Sequence, residues 1–295
     1  MAGKGWTAAD LPDLSGRTVV VTGASSGLGQ IIATELAGAG ATVTLAVRDL
    51  VKGRAAAARM SGHTDVRSLD LASLASVRAF AQDWSGDLDI LINNAGIMQV
   101  PQGVTADGFD LQMGTNYLGP FALTCALIPH LRDRVVNVSS QLQSSGKIDL
   151  DDLSGQHRPY DALQAYRDSK LANTLFTLEL ARRLTTQTST VRAITSDPGF
   201  ARTGLADHIG GIAGGIQKIA VRMFNDAAHG AAPTLYAATA DIASGSYVGP
   251  DGFHHLRGNP SVIDPPKAAR DADLARKLWD LSSTLTTTGA DHTDN

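Results

Sequence analysis

The chain has 295 residues, enough for one large α/β domain or two small ones, and nothing resembling a linker divides it, so a single domain over 1–295 is expected. Hydrophobic residues at 43% and charged residues at 18% support a sizeable core and exclude disorder except at the ends. A net charge of -4 with no Lys/Arg cluster argues against nucleic acid as a partner, and a single cysteine, Cys125, excludes an internal disulfide framework. The start, Met1 to Trp6, lacks the apolar core of a signal peptide, and no apolar run approaches the ~20 residues of a membrane span, so a cytoplasmic protein without a membrane span is expected.

In chain order, Arg17 to Thr22 and Thr42 to Val47 are short β-rich runs. Between them Ile31, Ile32, Leu36 and Ala37 recur at helical spacing, ending at Gly38 and Gly40, which makes one βαβ unit. Further strands are expected at Val66 to Leu69, Leu88 to Asn93, Arg134 to Ser139, Val191 to Ser196 and Tyr247-Val248. Helices are expected around Leu71 to Trp84, Phe109 to Leu131 and Ala165 to Leu184, and the polar, Thr-rich last dozen residues are expected to fray. Repeated βα units predict an α/β fold: a Rossmann-type, doubly wound parallel sheet of about seven strands with helices on both faces. Right-handed crossovers put the carboxyl ends of its strands on one edge, where ligands bind as the strand order reverses.

The glycine-rich run Thr22-Gly23-Ala24-Ser25-Ser26-Gly27-Leu28-Gly29 follows the first strand and opens its helix. Glycines permit a tight turn and close backbone approach to a pyrophosphate, while the helix N-terminus offers unpaired N–H groups and a positive dipole end. The second strand ends Ala46-Val47-Arg48-Asp49. An acidic residue there binds the ribose 2′-hydroxyl of NAD, whereas an arginine accommodates the 2′-phosphate of NADP. With Val47 in the usual acidic place and Arg48 next to it, NADP(H) is favoured over NAD(H); in the alternative, Arg48 is merely solvated and Asp49 takes the ribose.

Tyr166 and Lys170 stand at i and i+4 in a helical stretch and share one face. A phenol exchanges a proton near neutral pH when a nearby ammonium favours the phenolate, and lowering its pKa by ~3 units corresponds to roughly 4 kcal/mol. The pair is expected to do this; the alternative is a surface tyrosine packed on a lysine stem.

Taken together, the glycine motif, Asn93-Asn94-Ala95-Gly96, Asn116, Ser139-Ser140, Tyr166 to Lys170 and Pro198-Gly199 resemble the short-chain dehydrogenase/reductase family over roughly Gly16 to Leu285. Lys147-Ile148, Ser169 to Asn173 and Ala275 to Trp279 are most similar to its retinol dehydrogenase, WW-domain oxidoreductase and protochlorophyllide reductase branch. The resemblance implies an enzyme moving hydride between NAD(P) and an alcohol/carbonyl pair. It makes Tyr166 the general acid/base, Lys170 the residue that lowers its pKa and holds the nicotinamide ribose, and Ser140 the donor to the substrate oxygen, with Ser139 as runner-up. Asn116 matches the asparagine whose backbone holds a proton-relay water. Gly23, Ser25, Ser26, Gly27, Leu28 and Gly29 match the pyrophosphate turn, Asp70 and Leu71 the positions facing adenine, and Asn93, Asn94, Ala95 and Gly96 those beside the adenosine ribose. Pro198, Gly199 and Thr203 match the loop that holds the nicotinamide carboxamide. Ser196-Asp197 stands where this branch often has a histidine, a departure on the substrate side of the site. Relatives often form dimers or tetramers through the helices near Asn116 and Tyr166, which an insertion before Tyr166 could obstruct.

That insertion carries Asp149, Asp151 and Asp152, read as an exposed acidic loop rather than a calcium site, and no metal is expected. Ile209, Ile212, Ile216, Ile219 and Met223 give an amphipathic stretch loosened by glycines, within a substrate lid expected around 200–225. An apolar lid suits a lipophilic aldehyde or ketone; a membrane-surface helix is the alternative. Reduction is the favoured direction, because cellular NADP pools are usually reduced. Competing functional readings are the same chemistry with NAD, or a non-catalytic cofactor-sensing regulator, which would be expected to lose Tyr166 or Lys170.

Overall fold

A computed structural model describes residues 5–155, 157–199, 227–252 and 255–288. The Thr203 assignment and the lid around 200–225 lie outside these residues, apart from Pro198 and Gly199 at their approach. Eight strands form one sheet: β1 (Thr18–Thr22), β2 (Thr42–Val47), β3 (His63–Ser68), β4 (Leu88–Asn93), β5 (Leu131–Val138), β6 (Arg192–Ser196), β7 (Tyr247–Pro250) and β8 (Pro260–Ile263). Their order is β3-β2-β1-β4-β5-β6-β7-β8, parallel throughout except for β8, which runs antiparallel to β7. The chain steps outward from β1 to β3, then returns to place β4 on the other side of β1, so the order reverses between β1 and β4.

The helices are α1 (Gly27–Gly38), α2 (Leu50–Ala57), α3 (Leu74–Gln82), the single turn α4 (Leu111–Met113), α5 (Gly119–Leu127), α6 (Ala162–Thr186), α7 (Ala227–Thr239) and α8 (Ala272–Thr288). Strand pleating divides the apolar residues into two layers. Val20 and Leu91 point to the layer covered by α3, α5, α6 and α8, whereas Val19, Val21, Ile90 and Ile92 point to the layer covered by α1, α2 and α7. All six are at most 2% exposed, so burial on both faces, not alternation, explains their unbroken hydrophobic runs.

Several boundaries differ from the sequence reading. The sheet has an eighth strand, β8, whose four residues begin with Pro260 at the sheet edge, where a missing N–H costs no ladder bond. β3 begins at His63 rather than Val66, because pairing with β2 recruits the polar His63-Thr64-Asp65. β5 starts at Leu131, so the helical stretch ends earlier than expected. That stretch is not one helix either: a π-helical segment, Gly114–Leu118, separates α4 from α5. α2 was not foreseen; Asp49 caps it, accepting from the Val51 and Lys52 N–H groups at 3.0 Å each. Thr284 to Thr288 continue α8 instead of fraying, and Thr284, Thr286 and Thr287 each bond back to the carbonyl four residues earlier. Asp152 in the insertion is 6% exposed rather than solvated, because its carboxylate accepts from the His157 N–H. Among the described residues no helix is long and apolar enough to cross a membrane.

Candidate active site

The carboxyl ends of β1, β4, β5 and β6 converge at one edge, and the glycine turn lies there between β1 and α1. Gly23 (φ 69) needs its left-handed backbone, and a Cβ on it would lie 2.9 Å from the Ala95 Cα, which presses the turn against Asn94 to Gly96. Asn94 locks the junction: its Nδ2 donates to the Thr22 carbonyl at 2.9 Å, and its N–H donates to the Thr22 hydroxyl at 3.0 Å. Ser26 precedes α1 without a side-chain cap, unlike Asp49, Ser73 and Asp161 before α2, α3 and α6. A Cβ on Gly27 would meet nothing within 4 Å, so the first-turn N–H groups open onto free space. Ser26 and Gly27 are exposed, Ser25 and Leu28 half-buried, and Gly29 is buried under the turn.

Arg48 is exposed beyond β2, and no ion pair engages it among the described residues. Asp49 is committed to the α2 cap, whose N–H donors hold its carboxyl below the usual range. Val47, 2% exposed, is core. Past β3, Asp70 is half-buried and accepts from the Ala72 N–H at 2.9 Å, while Leu71 packs inward at 6% exposed. Asn93 is also internal: its Nδ2 donates to Thr124 Oγ1 and Asn137 Oδ1, both at 2.8 Å, so any ligand contact there falls to its backbone.

Two residues predicted from widely separated segments, Asn116 and Lys170, meet at Gly96. A Cβ on Gly96 would lie 3.3 Å from Asn116 Oδ1 and 3.4 Å from Lys170 Nζ, a cradle that only glycine leaves empty. Asn116 sits in the π-helical segment, a geometry often found at functional positions. Its side chain brackets Ile97, accepting from the N–H at 2.8 Å and donating to the carbonyl at 2.9 Å. Its backbone carbonyl accepts from Asn173 Nδ2 at 3.0 Å, which uses one of that oxygen's two lone pairs. Lys170 donates from Nζ to the Val138 carbonyl at 3.0 Å, and Nζ lies 5.7 Å from the Tyr166 ring centre.

Ser140, half-buried beyond β5, lies close enough to the Tyr166 hydroxyl to favour its ionised form. Ser139 points the other way: it is 2% exposed and donates to the Lys170 carbonyl at 2.8 Å. The Tyr166 phenol does not have the lowered pKa expected beside Lys170. Burial pushes it up to about 12, Ser140 offsets this in part, and the Asp197 charge adds to the rise. Burial brings Lys170 down to about 8, with the Asp197 carboxylate opposing the fall. The physical reason is desolvation: the phenolate loses more by leaving water than Lys170, placed over its ring rather than at its oxygen, returns.

Pro198 and Gly199 follow β6, where Gly199 has φ 63 and donates its N–H to Asp197 Oδ1 at 2.8 Å. Asp197, Tyr247 and Gln143 form a buried chain there that the sequence reading did not assemble; Asp197 was noticed only as a departure from the expected histidine. Tyr160, in the insertion before Tyr166, donates to the Val100 carbonyl at 2.7 Å. Among the described residues no group of three or more His, Cys, Asp or Glu side chains could hold a metal.

The open α1 N-terminus, the free Arg48 and the Gly96 cradle fit a nicotinamide dinucleotide laid across the edge from β2 to β5. The short chain dehydrogenase family profile matches residues 17–210, more than half of the chain. This protein belongs to the short-chain dehydrogenase/reductase family. It is similar to retinol dehydrogenase 13 of Homo sapiens, at 41% identity over 293 residues, covering 92% of this chain and 85% of that one. A crystal structure of an uncharacterised protein from Mycobacterium Paratuberculosis superposes with a TM-score of 0.85 at 49% identity, covering 96% of this chain and 98% of that one. A short chain dehydrogenase from Burkholderia cenocepacia J2315, in complex with NADP, superposes with a TM-score of 0.64 at 26% identity, covering 80% and 96%. The chain is thus an oxidoreductase acting on CH–OH groups, of the retinol dehydrogenase-like branch, with the family's NAD(P)-binding fold.

Proposed function

We propose that this enzyme uses NADP(H) to interconvert an alcohol and a lipophilic aldehyde or ketone, with Tyr166 as the general acid/base and reduction as its favoured direction. The observation that carries the reading is the meeting of Tyr166 with Ser140, next to Lys170, at the carboxyl edge of the sheet. The cofactor supplies or accepts the hydride. Everything else is asked of the chain. A phenol that keeps its proton up to about 12 is an acid at neutral pH, suited to protonating a carbonyl oxygen as it gains charge. Ser140, beside that phenol, adds a second donor to the same oxygen and so stabilises the developing alkoxide. The Lys170 ammonium then stabilises the phenolate left behind; only one of its three protons is used on Val138.

Three features support NADP. Arg48 lacks a partner among the described residues, Asp49 is occupied as a cap, and Val47 is buried where an acidic residue would read the ribose hydroxyl. The name retinol dehydrogenase in a relative, and the apolar pattern between Ile209 and Met223, favour an isoprenoid or medium-chain substrate. The family resemblance suggests a relay water on the Asn116 backbone carbonyl, which also accepts from Asn173 Nδ2.

Tyr166→Phe is expected to cut turnover by at least about a hundredfold, the ordinary worth of a positioned acid. NADPH affinity, followed by fluorescence titration, should stay near its starting value. Full activity in the variant would remove Tyr166 from the mechanism. Screened with NADPH, isoprenoid and medium-chain aldehydes should turn over faster than small ketones; the opposite order would refute the substrate class.

A further inference from the structure

Asp197 has no role in the chemistry described so far, yet it is among the most constrained side chains of the site. It lies at the end of β6, completely buried. Oδ2 accepts from the Tyr247 hydroxyl at 2.5 Å, and Oδ1 accepts from the Gly199 N–H at 2.8 Å. Gln143 Nε2 donates to the same Tyr247 hydroxyl at 2.8 Å, which leaves the phenol proton directed at the carboxylate. The Asp197 N–H is bound in turn to the Val248 carbonyl at 2.8 Å. Direct partners among the described residues are therefore neutral donors. Those donors favour the carboxylate but do not cancel its burial, so a cation facing it adds to its stability as an anion.

The titratable groups that face Asp197 are few. From α6 come Lys170 and Tyr166, from β7 comes Tyr247, and from the segment after β7 comes His255, whose Nδ1 lies 3.0 Å from the Pro250 carbonyl. Lys170 is the one permanently basic side chain in this set. Strand register explains the proximity: Val138 of β5 pairs with Ser196 of β6, and the Ser139 N–H donates to the Ser196 carbonyl at 2.8 Å. Lys170 Nζ sits on the Val138 carbonyl, so ammonium and carboxylate occupy adjoining strand ends.

We propose that Asp197 is the counter-ion of Lys170, a positioning residue that keeps the ammonium charged and so sets the pH range in which Tyr166 exchanges its proton. The inference rests on Tyr166 and Lys170 being the proton-transfer pair only for its consequence; the charge pairing itself can be tested apart from turnover. Burial acts on Asp197 and Lys170 in opposite directions; with the hydrogen bonds to Asp197 and each other's charge opposing it, the acid is still raised to about 6 and the base lowered to about 8. Both are then ionised around neutral pH, where each supports the other's charge. The same carboxylate disfavours the Tyr166 phenolate, which keeps the phenol protonated as an acid.

Asp197→Asn preserves shape and can still accept from Tyr247 and Gly199, but carries no charge. In the free protein, lysine side-chain NMR would follow Lys170, its resonance assigned by its loss in Lys170→Met. The Lys170 titration midpoint is expected to fall by about one pH unit in Asp197→Asn, as for loss of one nearby opposite charge. The alkaline limb of the kcat/KM profile for carbonyl reduction should move down with it. An unchanged midpoint in folded Asp197→Asn would overturn the proposal and leave Asp197 as an anchor of the turn. Should that variant not fold, the wild-type protein decides: coupled sites titrate together. The Lys170 resonance must then show a second inflection where Asp197 takes up its proton, and a single step would overturn the pairing. If Tyr166→Phe keeps its activity while Asp197→Asn still shifts Lys170, the ion pair stands and only the reading of Tyr166 falls.

Discussion

At the scale of single residues, the end of β2 carries the proposed preference for NADP. Val47, Arg48 and Asp49 are consecutive, yet one is core, one is exposed and one caps a helix. Sequence placed Arg48 beside an absent acid and left open whether Asp49 would take the ribose. The Asp49 oxygen is engaged by two backbone N–H groups of α2, so a ribose contact would have to compete with that cap. A charge-assisted bond from arginine to phosphate is worth about 1.5–3 kcal/mol. Arg48→Ala is therefore expected to weaken NADPH binding by roughly ten- to a hundredfold while leaving NADH nearly unchanged, measured by parallel fluorescence titrations. Equal losses for both nucleotides would refute a 2′-phosphate contact.

At the scale of elements, the site depends on two helices that do not behave as sequence periodicity suggests. The segment from Phe109 was read as one helix; instead its π-helical turn brings the Asn116 side chain to Ile97. Nothing in the spacing of apolar residues marks that turn, because it arises where the chain must satisfy the polar backbone of the neighbouring loop. α8 is the second case. Trp279 stacks against Phe121 of α5 and Phe176 of α6, with ring centres 5.0 and 5.7 Å away, and Leu278 is fully buried beneath it. Phe176 is on α6, the helix that carries Tyr166 and Lys170, so α8 clamps that helix from outside the candidate site. Leu278→Ala is expected to lower stability by about 2–5 kcal/mol in denaturant unfolding, the usual cost of deleting a buried leucine. A change below about 1 kcal/mol would show that α8 is not part of the cooperative fold.

At the scale of the whole molecule, the sheet edge assembles residues from Gly23 to Gly199 into one site, while α8 lies across the faces of α5 and α6. Those are the faces through which the family resemblance implied dimers or tetramers. With Trp279 and Leu278 already covering them, sedimentation at micromolar concentration is expected to find a single chain; a dimer or tetramer would require an interface elsewhere.

Sequence alone determined the fold class, the parallel β1 to β7 framework and the glycine turn, because these rest on local rules: short apolar strand runs, helix period and glycine's backbone freedom; Asn116 and Lys170, which meet at Gly96, were named through the family resemblance. It could not supply β8, which exists only by pairing with β7, nor the π turn at Asn116, nor the clamp by α8. It also predicted the wrong direction for the Tyr166 phenol. Spacing shows that a lysine is near; only packing shows how deeply the hydroxyl is buried, and desolvation acts through that depth. Asp197 makes the same point. As a letter before Pro198-Gly199 it was a departure from a pattern, and tertiary structure turned it into a buried charge facing Lys170.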